Sequence, residues 1–248
     1  MGWIAYNNRQ YPRQNWPELL HLLENEGEWQ QDVSRFIQSW LSEEMEFSVQ
    51  TSGSTGVPKT LQLSRAAMEA SARATARAFE IQPGAHVLCC LPVRFIAGKM
   101  MVVRALVNDW NLILTRPDAE ALRGMEMHVD FAAMTPYQVE QSMVRFPNRF
   151  QSIGKLIIGG AATSPLLESQ LNDFPVRAWA TYGMTETITH VAARELDKKE
   201  SNDVFQALHG IQFSVTEEGA LRIHADHLPN GVITTNDLVA LLSPTQFK

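Results

Sequence analysis

Cysteine is scarce, with two in 248 residues, and the two stand side by side as Cys89 and Cys90. That is too few for a disulfide framework and too few for a zinc set, so both are expected to be buried thiols. Cationic blocks are missing as well. Lys and Arg number 21 against 27 Asp and Glu, a net charge of −6, which argues against a surface for the nucleic-acid backbone. Any phosphate here is then a small ligand held locally. Long apolar runs are also absent: the stretch 85–93 is far too short to span a bilayer. The opening Met1-Gly2-Trp3-Ile4-Ala5-Tyr6 has no basic region ahead of an apolar one, so no leader is read there. A cytoplasmic protein without membrane insertion is expected. Internal repeats and low-complexity tracts are lacking too.

What is present suits one globular domain or two small lobes, with 45% apolar and 19% charged residues and ample material for a core. The first 46 residues read as helical. Pro17 behind Asn15-Trp16 marks a helix start, and Val33, Phe36, Ile37, Trp40 and Leu41 recur at i, i+3, i+4, i+7, i+8. From residue 47 short apolar runs at 85–90, 111–115, 131–134, 155–158 and 176–181 alternate with helical stretches at 65–80, 98–108, 136–145 and 166–173. Ser64, Thr135-Pro136 and Ser164-Pro165 supply helix starts. The pattern predicts an α/β fold, a mainly parallel sheet flanked by helices. After about Phe205 the helical pattern stops. A hairpin is expected from 211–216 and 220–225 across Glu217-Glu218-Gly219, then strands at 232–235 and 238–242 around a turn at Asn236-Asp237. The expected division is a helical segment over 1–46, an α/β core over 47–203 and a small β-rich section over 204–248, with the charged loop 197–203 at the boundary.

The most unusual segment is Thr51-Ser52-Gly53-Ser54-Thr55-Gly56-Val57-Pro58-Lys59-Thr60. Hydroxyl side chains, two glycines able to take positive φ and one lysine make a concave set of donors with a cation at its rim, which is what a polyphosphate requires. A solvated Ser/Gly linker competes with that reading, but linkers rarely place Pro-Lys at the end of such a run or sit between a strand and a helix. Other phosphate and acyl motifs fail. Counting from Gly53, Pro58 stands where a Walker A loop needs its second glycine. The dinucleotide fingerprint G-x-G-x-x-G and the hydrolase elbow G-x-S-x-G are absent.

These residues resemble the phosphate loop of the adenylate-forming superfamily of acyl-CoA synthetases, adenylation domains and luciferases; Thr60 stands where that family usually has glycine. Two further islands follow in order. Leu156-Ile157-Ile158-Gly159-Gly160-Ala161 is similar to the strand and turn lining the family's adenine pocket, and two glycines at a strand's carboxyl end let a planar ring approach the backbone. Thr181-Tyr182-Gly183-Met184-Thr185-Glu186-Thr187 matches the Tyr-Gly-x-Thr-Glu motif. The resemblance implies that Tyr182 stacks on adenine, Thr185 bonds the α-phosphate and Glu186 helps hold Mg²⁺; a flat ring, a neutral donor and a hard oxygen ligand suit those roles. Thr234-Thr235-Asn236-Asp237-Leu238 resembles Thr-Gly-Asp-Leu, with Asp237 implied as the ribose ligand and Asn236 expected to take the left-handed turn of the replaced glycine.

Lys59, Thr185 and Glu186 are thus the implied catalytic residues, and Thr51, Ser52, Gly53, Ser54, Thr55, Gly56, Gly159, Gly160, Ala161, Tyr182, Gly183 and Asp237 the implied nucleotide contacts. The implied reaction converts a carboxylic acid and ATP to an acyl-AMP, with transfer to CoA. Within the superfamily the run 91–101 and the segment 181–192 look most like the 2-succinylbenzoate–CoA ligases of menaquinone biosynthesis. That substrate is a dicarboxylate, so its second carboxylate calls for a cation or several donors. Arg94, Lys99 and Arg104 stand by position as such groups, Phe95 fills a place where many relatives carry histidine, and His190 is placed to reach the site from the turn after Glu186. The plainer reading, a snorkelling or structural side chain, comes first for Arg94, Lys99, Arg104 and His190. Met100, Met101, Met125 and Met127 read as core filler.

In the family a small C-terminal lobe follows the ribose aspartate, supplying an adenylation lysine and the CoA tunnel. With Lys248 soon after Asp237, the expectation is that this lobe is absent and acts as a possible partner. The chain would then bind MgATP and acid but be slow alone. Two other readings stay open: an adenylation lobe for another aryl or short-chain acid, and a non-catalytic binding module using Phe247 and the run 238–242 as a docking edge.

Overall fold

A computed structural model describes residues 2–50, 60–196 and 203–248. The phosphate-loop residues Thr51, Ser52, Gly53, Ser54, Thr55, Gly56 and Lys59, and loop residues 197–202, lie outside the described residues. The first half runs β1 Trp3–Tyr6, β2 Arg9–Pro12, α1 Trp16–Glu24, α2 Glu28–Leu41, β3 Glu46–Gln50, β4 Thr60–Ser64, α3 Arg65–Ala78, β5 His86–Cys89, α4 Ile96–Val107 and β6 Asn111–Leu114. There follow β7 Val129–Met134, α5 Pro136–Arg145, α6 Pro147–Phe150, β8 Ile153–Ile158, α7 Pro165–Leu171, β9 Arg177–Gly183 and β10 His190–Glu195. The last part is all strand: β11 Phe205–Ala207, β12 Gln212–Val215, β13 Ala220–His224, β14 Val232–Leu238, β15 Leu241–Ser243 and β16 Gln246–Phe247.

The main sheet has the order β15-β16-β11-β10-β9-β8-β7-β5-β6-β1-β2. Its middle, from β1 through β6, β5, β7 and β8 to β9, is parallel, and antiparallel strands finish both edges. The parallel strands are mostly apolar on both sides, with Asp130, Lys155 and Arg177 near their starts, because helices cover both faces. Alternation along each strand sorts side chains to opposite sides. Val87, Cys89, Phe131, Ala133 and Ile157 join one core, while Leu88, Cys90, Ala132, Met134, Leu156 and Ile158 join the other. Cys89 and Cys90 are therefore buried thiols on opposite faces.

Helix starts follow from local chemistry. Ser64 and Ser164 accept from the amides of Ala67 and Leu167. Thr135 and Gln138 form a reciprocal capping box with Pro136 at the first turn of α5, satisfying donors that a helix otherwise leaves open.

Three expectations need correction. The opening is not wholly helical: β1 and β2 form a hairpin across Asn7 and Asn8, both at positive φ (49° and 60°), the backbone such two-residue turns demand. β1 then pairs with β6, so this segment extends the main sheet. Next, residues 51–59 connect β3 to β4, an antiparallel pair closing at Gln50–Thr60, and α3 begins only after β4. Finally, β14 continues through Asn236 and Asp237 with a bulge and no turn. Asn236 is absent from the positive-φ residues, because the strand continues to pair with β13 across a bulge instead of turning.

The β-rich section packs around Phe213, Leu221, Ile223 and Phe247, which meet Val191 and Ala192 of β10. Phe247 is only 3% exposed, so it is core and offers no docking edge; Leu238 and Leu242 are exposed. No helix among the described residues is long and apolar enough to cross a membrane.

Candidate active site

Two neighbouring parallel strands, β8 and β9, end side by side, and their carboxyl ends carry the Gly-Gly turn and the tyrosine. In open α/β sheets the crevice beyond such ends is where ligands sit. The Thr181 hydroxyl donates to the Ile158 carbonyl at 3.0 Å, tying the two ends together. A Cβ at position 159 would lie 2.6 Å from that same hydroxyl oxygen, so a side chain there would push the Thr181 hydroxyl off its bond. Gly160 follows at φ +83°, turning the chain away and leaving Gly160 and Ala161 exposed.

Tyr182, half-buried near the end of β9, donates its hydroxyl to Oδ2 of Asp237 at 2.5 Å. The contact joins the main sheet to β14 of the small sheet. Burial and the neighbouring Asp237 push the Tyr182 phenol well above its usual range, so it stays a donor at neutral pH and leaves the other carboxylate oxygen for a ligand. The ring is held from behind: Phe247 meets it edge-on at 5.1 Å, Phe205 lies 6.2 Å away, and Phe205 and Phe247 stack at 5.4 Å. Phe205 was not foreseen from the residues alone and Phe247 was read only as a docking edge, both being solitary aromatics in short strands without a period.

Gly183 closes β9 opposite His190. A Cβ there would sit 2.2 Å from the Thr189 carbonyl oxygen and 2.5 Å from the His190 Cα, so no other residue fits. The connection 184–189 presents Thr185 and Glu186 in a single 3-10 turn, with Glu186 exposed and Thr185 half-exposed. Thr187 is buried; its hydroxyl accepts from the Met184 amide at 3.0 Å and gives its one proton to the nearer carbonyl, that of Thr189 at 2.7 Å.

Of the residues proposed by position for the acyl group, Arg94 and Lys99 lean on α2, whereas His190, beside Gly183, and Arg104 are buried beneath the cluster. Arg94 stacks on the exposed Phe95 at 4.9 Å and reaches Glu28 of α2 at 3.9 Å. Lys99 lies 4.6 Å over the Phe36 ring, also of α2; burial lowers its pKa, with Asp32 opposing. Arg104 and His190 need outright correction. Both are buried and face each other, the Arg104 Nη2 standing 3.4 Å from the His190 Nδ1, because His190 begins a strand packed on α3 and α4 instead of sitting in an open turn. Burial and the Arg104 charge hold His190 well below the usual imidazole value.

A second group missed in the sequence flanks the Gly-Gly turn. Glu168 of α7 pairs with Arg194 of β10 at 2.6 Å and accepts from Thr163 at 2.5 Å, fixing the segment after Ala161. Among the described residues no three His, Cys, Asp or Glu gather as a metal-binding group.

A family model described as AMP-binding enzyme matches residues 14–235. The chain is 36% identical to an acyl-CoA synthetase (AMP-forming)/AMP-acid ligase II-like protein from Dyadobacter fermentans, with a TM-score of 0.82 over 92% of this chain and 67% of that one. Among curated relatives it is 27% identical to 2-succinylbenzoate–CoA ligase of Salmonella typhimurium over 76% of this chain and 30% identical to the nonribosomal peptide synthetase gliP of Aspergillus fumigatus over 59%. It spans 40% of the former and 7% of the latter. O-succinylbenzoate coenzyme A synthetase from Bacillus subtilis, solved with ATP and magnesium ion, shares the fold at a TM-score of 0.71 and 17% identity over 82% of this chain and 50% of that one.

Proposed function

Since this chain belongs to the family of AMP-binding enzymes, we propose that it binds MgATP and a carboxylic acid and activates the acid as an acyl-AMP for transfer to CoA, the acid being 2-succinylbenzoate. The observation that carries this reading is the Tyr182–Asp237 hydrogen bond beside the Gly159-Gly160 turn. An aromatic face, a carboxylate and an open backbone edge then lie together, as a purine and a ribose diol require.

In this reading Gly159, Gly160 and Ala161 admit the adenine edge, Tyr182 lies against its face, and the Asp237 carboxylate accepts from the ribose hydroxyls. Thr185 donates to the α-phosphate, and Lys59 with residues 51–56 holds the departing pyrophosphate. Glu186 holds magnesium, which when bound neutralises phosphate charge. A carboxylate oxygen of the acid attacks the α-phosphorus, and pyrophosphate leaves with the electron pair of the broken P–O bond. The CoA thiolate then attacks the acyl carbon and AMP leaves. The chain's own part is placement and charge stabilisation, the main source of rate in such transfers. The 2-succinylbenzoate assignment draws on the names of the ligases the chain resembles; similarity to nonribosomal peptide synthetases keeps a different acid as the second reading.

Calorimetric titration with a non-hydrolysable 2-succinylbenzoyl-AMP mimic, a benzoyl-AMP mimic and AMP tests both points without turnover. Binding that prefers the succinylbenzoyl group and is lost in Lys59→Ala and Asp237→Ala is expected. Equal affinity for the two acyl mimics would remove the acid assignment, and no binding of any ligand would remove the adenylate site.

A further inference from the structure

The turn that carries Thr185 and Glu186 rests on a strained backbone. Ile188 stands at φ +70°, ψ −57°, and the Thr189 amide donates to the Thr187 carbonyl at 2.8 Å. This is a γ-turn of positive φ, rare for any residue and an outlier for a β-branched one. Such a conformation persists only when its surroundings over-determine it.

The surroundings are specific. The Ile188 side chain is 1% exposed in the main core. Directly after it, α3 holds the chain twice: Ser71 bonds the Thr189 hydroxyl at 3.1 Å, and Thr75 bonds His190 Nε2 at 3.3 Å. From α4, Arg104 sends Nε to the Thr75 hydroxyl at 3.2 Å, Nη2 to His190 Nδ1 at 3.4 Å and Nη1 to the Met101 sulfur at 3.4 Å.

These bonds admit one proton arrangement. Arginine only donates, so His190 Nδ1 accepts and its proton sits on Nε2, directed at Thr75. The Thr75 hydroxyl accepts from both neighbours and donates to the Ser71 carbonyl at 3.1 Å, which uses all of its capacity. Arg104 is 2% exposed, and among the described residues no carboxylate pairs with it. A buried cation without an acid is a burden on stability that an apolar residue of like volume would avoid. Its retention here calls for another use.

We infer that Arg104 is a positioning residue: acting through His190 and Thr75, it braces the start of β10 and so holds the Ile188 γ-turn that presents Thr185 and Glu186 to the nucleotide. The link to the nucleotide rests on the proposed adenylate site; the brace itself does not.

Hydrogen exchange of the ligand-free full chain reads the brace alone. In Arg104→Met the amides of 187–190 should exchange about tenfold faster, as expected when a local opening loses its ties, with the urea midpoint unchanged or raised. His190→Leu should behave in the same way. His190→Asn, whose side-chain oxygen can take the place of Nδ1, should restore slow exchange. AMP affinity should fall in the first two variants and return in the third. Local exchange unchanged in Arg104→Met and His190→Leu, or a lowered midpoint with faster exchange throughout the sheet, would overturn the brace and make Arg104 ordinary core. Faster exchange confined to 187–190 in a chain whose wild type binds no AMP would uphold the brace and remove the nucleotide reading.

Discussion

Tyr182 and Asp237 show how much one hydroxyl can organise. The phenol orients a carboxylate that is otherwise exposed on a strand, and a hydrogen bond to a charged group contributes about 1.5 kcal/mol or more. Tyr182→Phe keeps the ring and its packing on Phe247 but frees Asp237. AMP affinity is expected to fall about tenfold with the urea midpoint nearly unchanged; calorimetry showing full affinity would mean Asp237 needs no such orientation. The functional residue types around this pair were legible as motifs, because their spacing is local. Their partners were not. Nothing near Tyr182 in the chain indicates Asp237 or Phe247, and Asn236 lies in a bulge held between the Thr234 and Leu238 pairs with β13, which outweigh the residue's own leaning toward a left-handed turn. Gly183 is the opposite case: the 2.2 Å approach of the Thr189 carbonyl depends on β10 folding back, so the motif glycine was readable and its reason was not.

Among the elements, helix starts were the most faithfully written. The capping box at Thr135 and Gln138 satisfies orphan amides with neighbouring side chains, a purely local matter. Thr135→Ala is expected to lower stability by about 1 kcal/mol, seen as a shift of the urea midpoint without a change in AMP affinity. Strand β16 is worth more than its two residues suggest. Phe247 packs on Tyr182, Phe205 and Phe213, and removing a buried phenylalanine costs about 3 kcal/mol or more. Phe247→Ala should therefore lower the midpoint and also weaken AMP binding by loosening Tyr182; retained affinity in the folded variant would show that Asp237 alone holds the ring. The N-terminal hairpin carried a readable signal in Asn7-Asn8 between β-prone residues. The helical periodicity that follows it masked that signal.

For the molecule as a whole, stability in acid responds to two histidines, the buried His190 and the half-buried His227. His190 is held below its ordinary value by burial and by Arg104, and His227 by burial against the pull of Asp226. A depressed histidine takes its proton in the unfolded chain first. Its contribution is therefore complete above about pH 6.5 and shrinks as pH falls below that, by up to about 1.4 kcal/mol per unit for the buried His190 and by less for the half-exposed His227, which solvent screens. Urea midpoints measured from about pH 8 to about pH 5 should be flat and then fall, and His190→Asn should reduce the fall by one histidine's share. A slope that His190→Asn leaves untouched would assign the acid edge elsewhere.

The order of residues was enough for the alternation of apolar strands and capped helices, the α/β class and the motif islands, because periodicity, caps and glycine-rich turns act over a few positions. It was not enough for the company each island keeps. Which strands border β9, that Asp237 meets Tyr182, and that His190 and Arg104 turn inward to each other while Arg94 and Lys99 lean on α2 are outcomes of packing between segments far apart in the chain. Such contacts form where sheet order and burial bring surfaces together, and neither leaves a mark in local spacing.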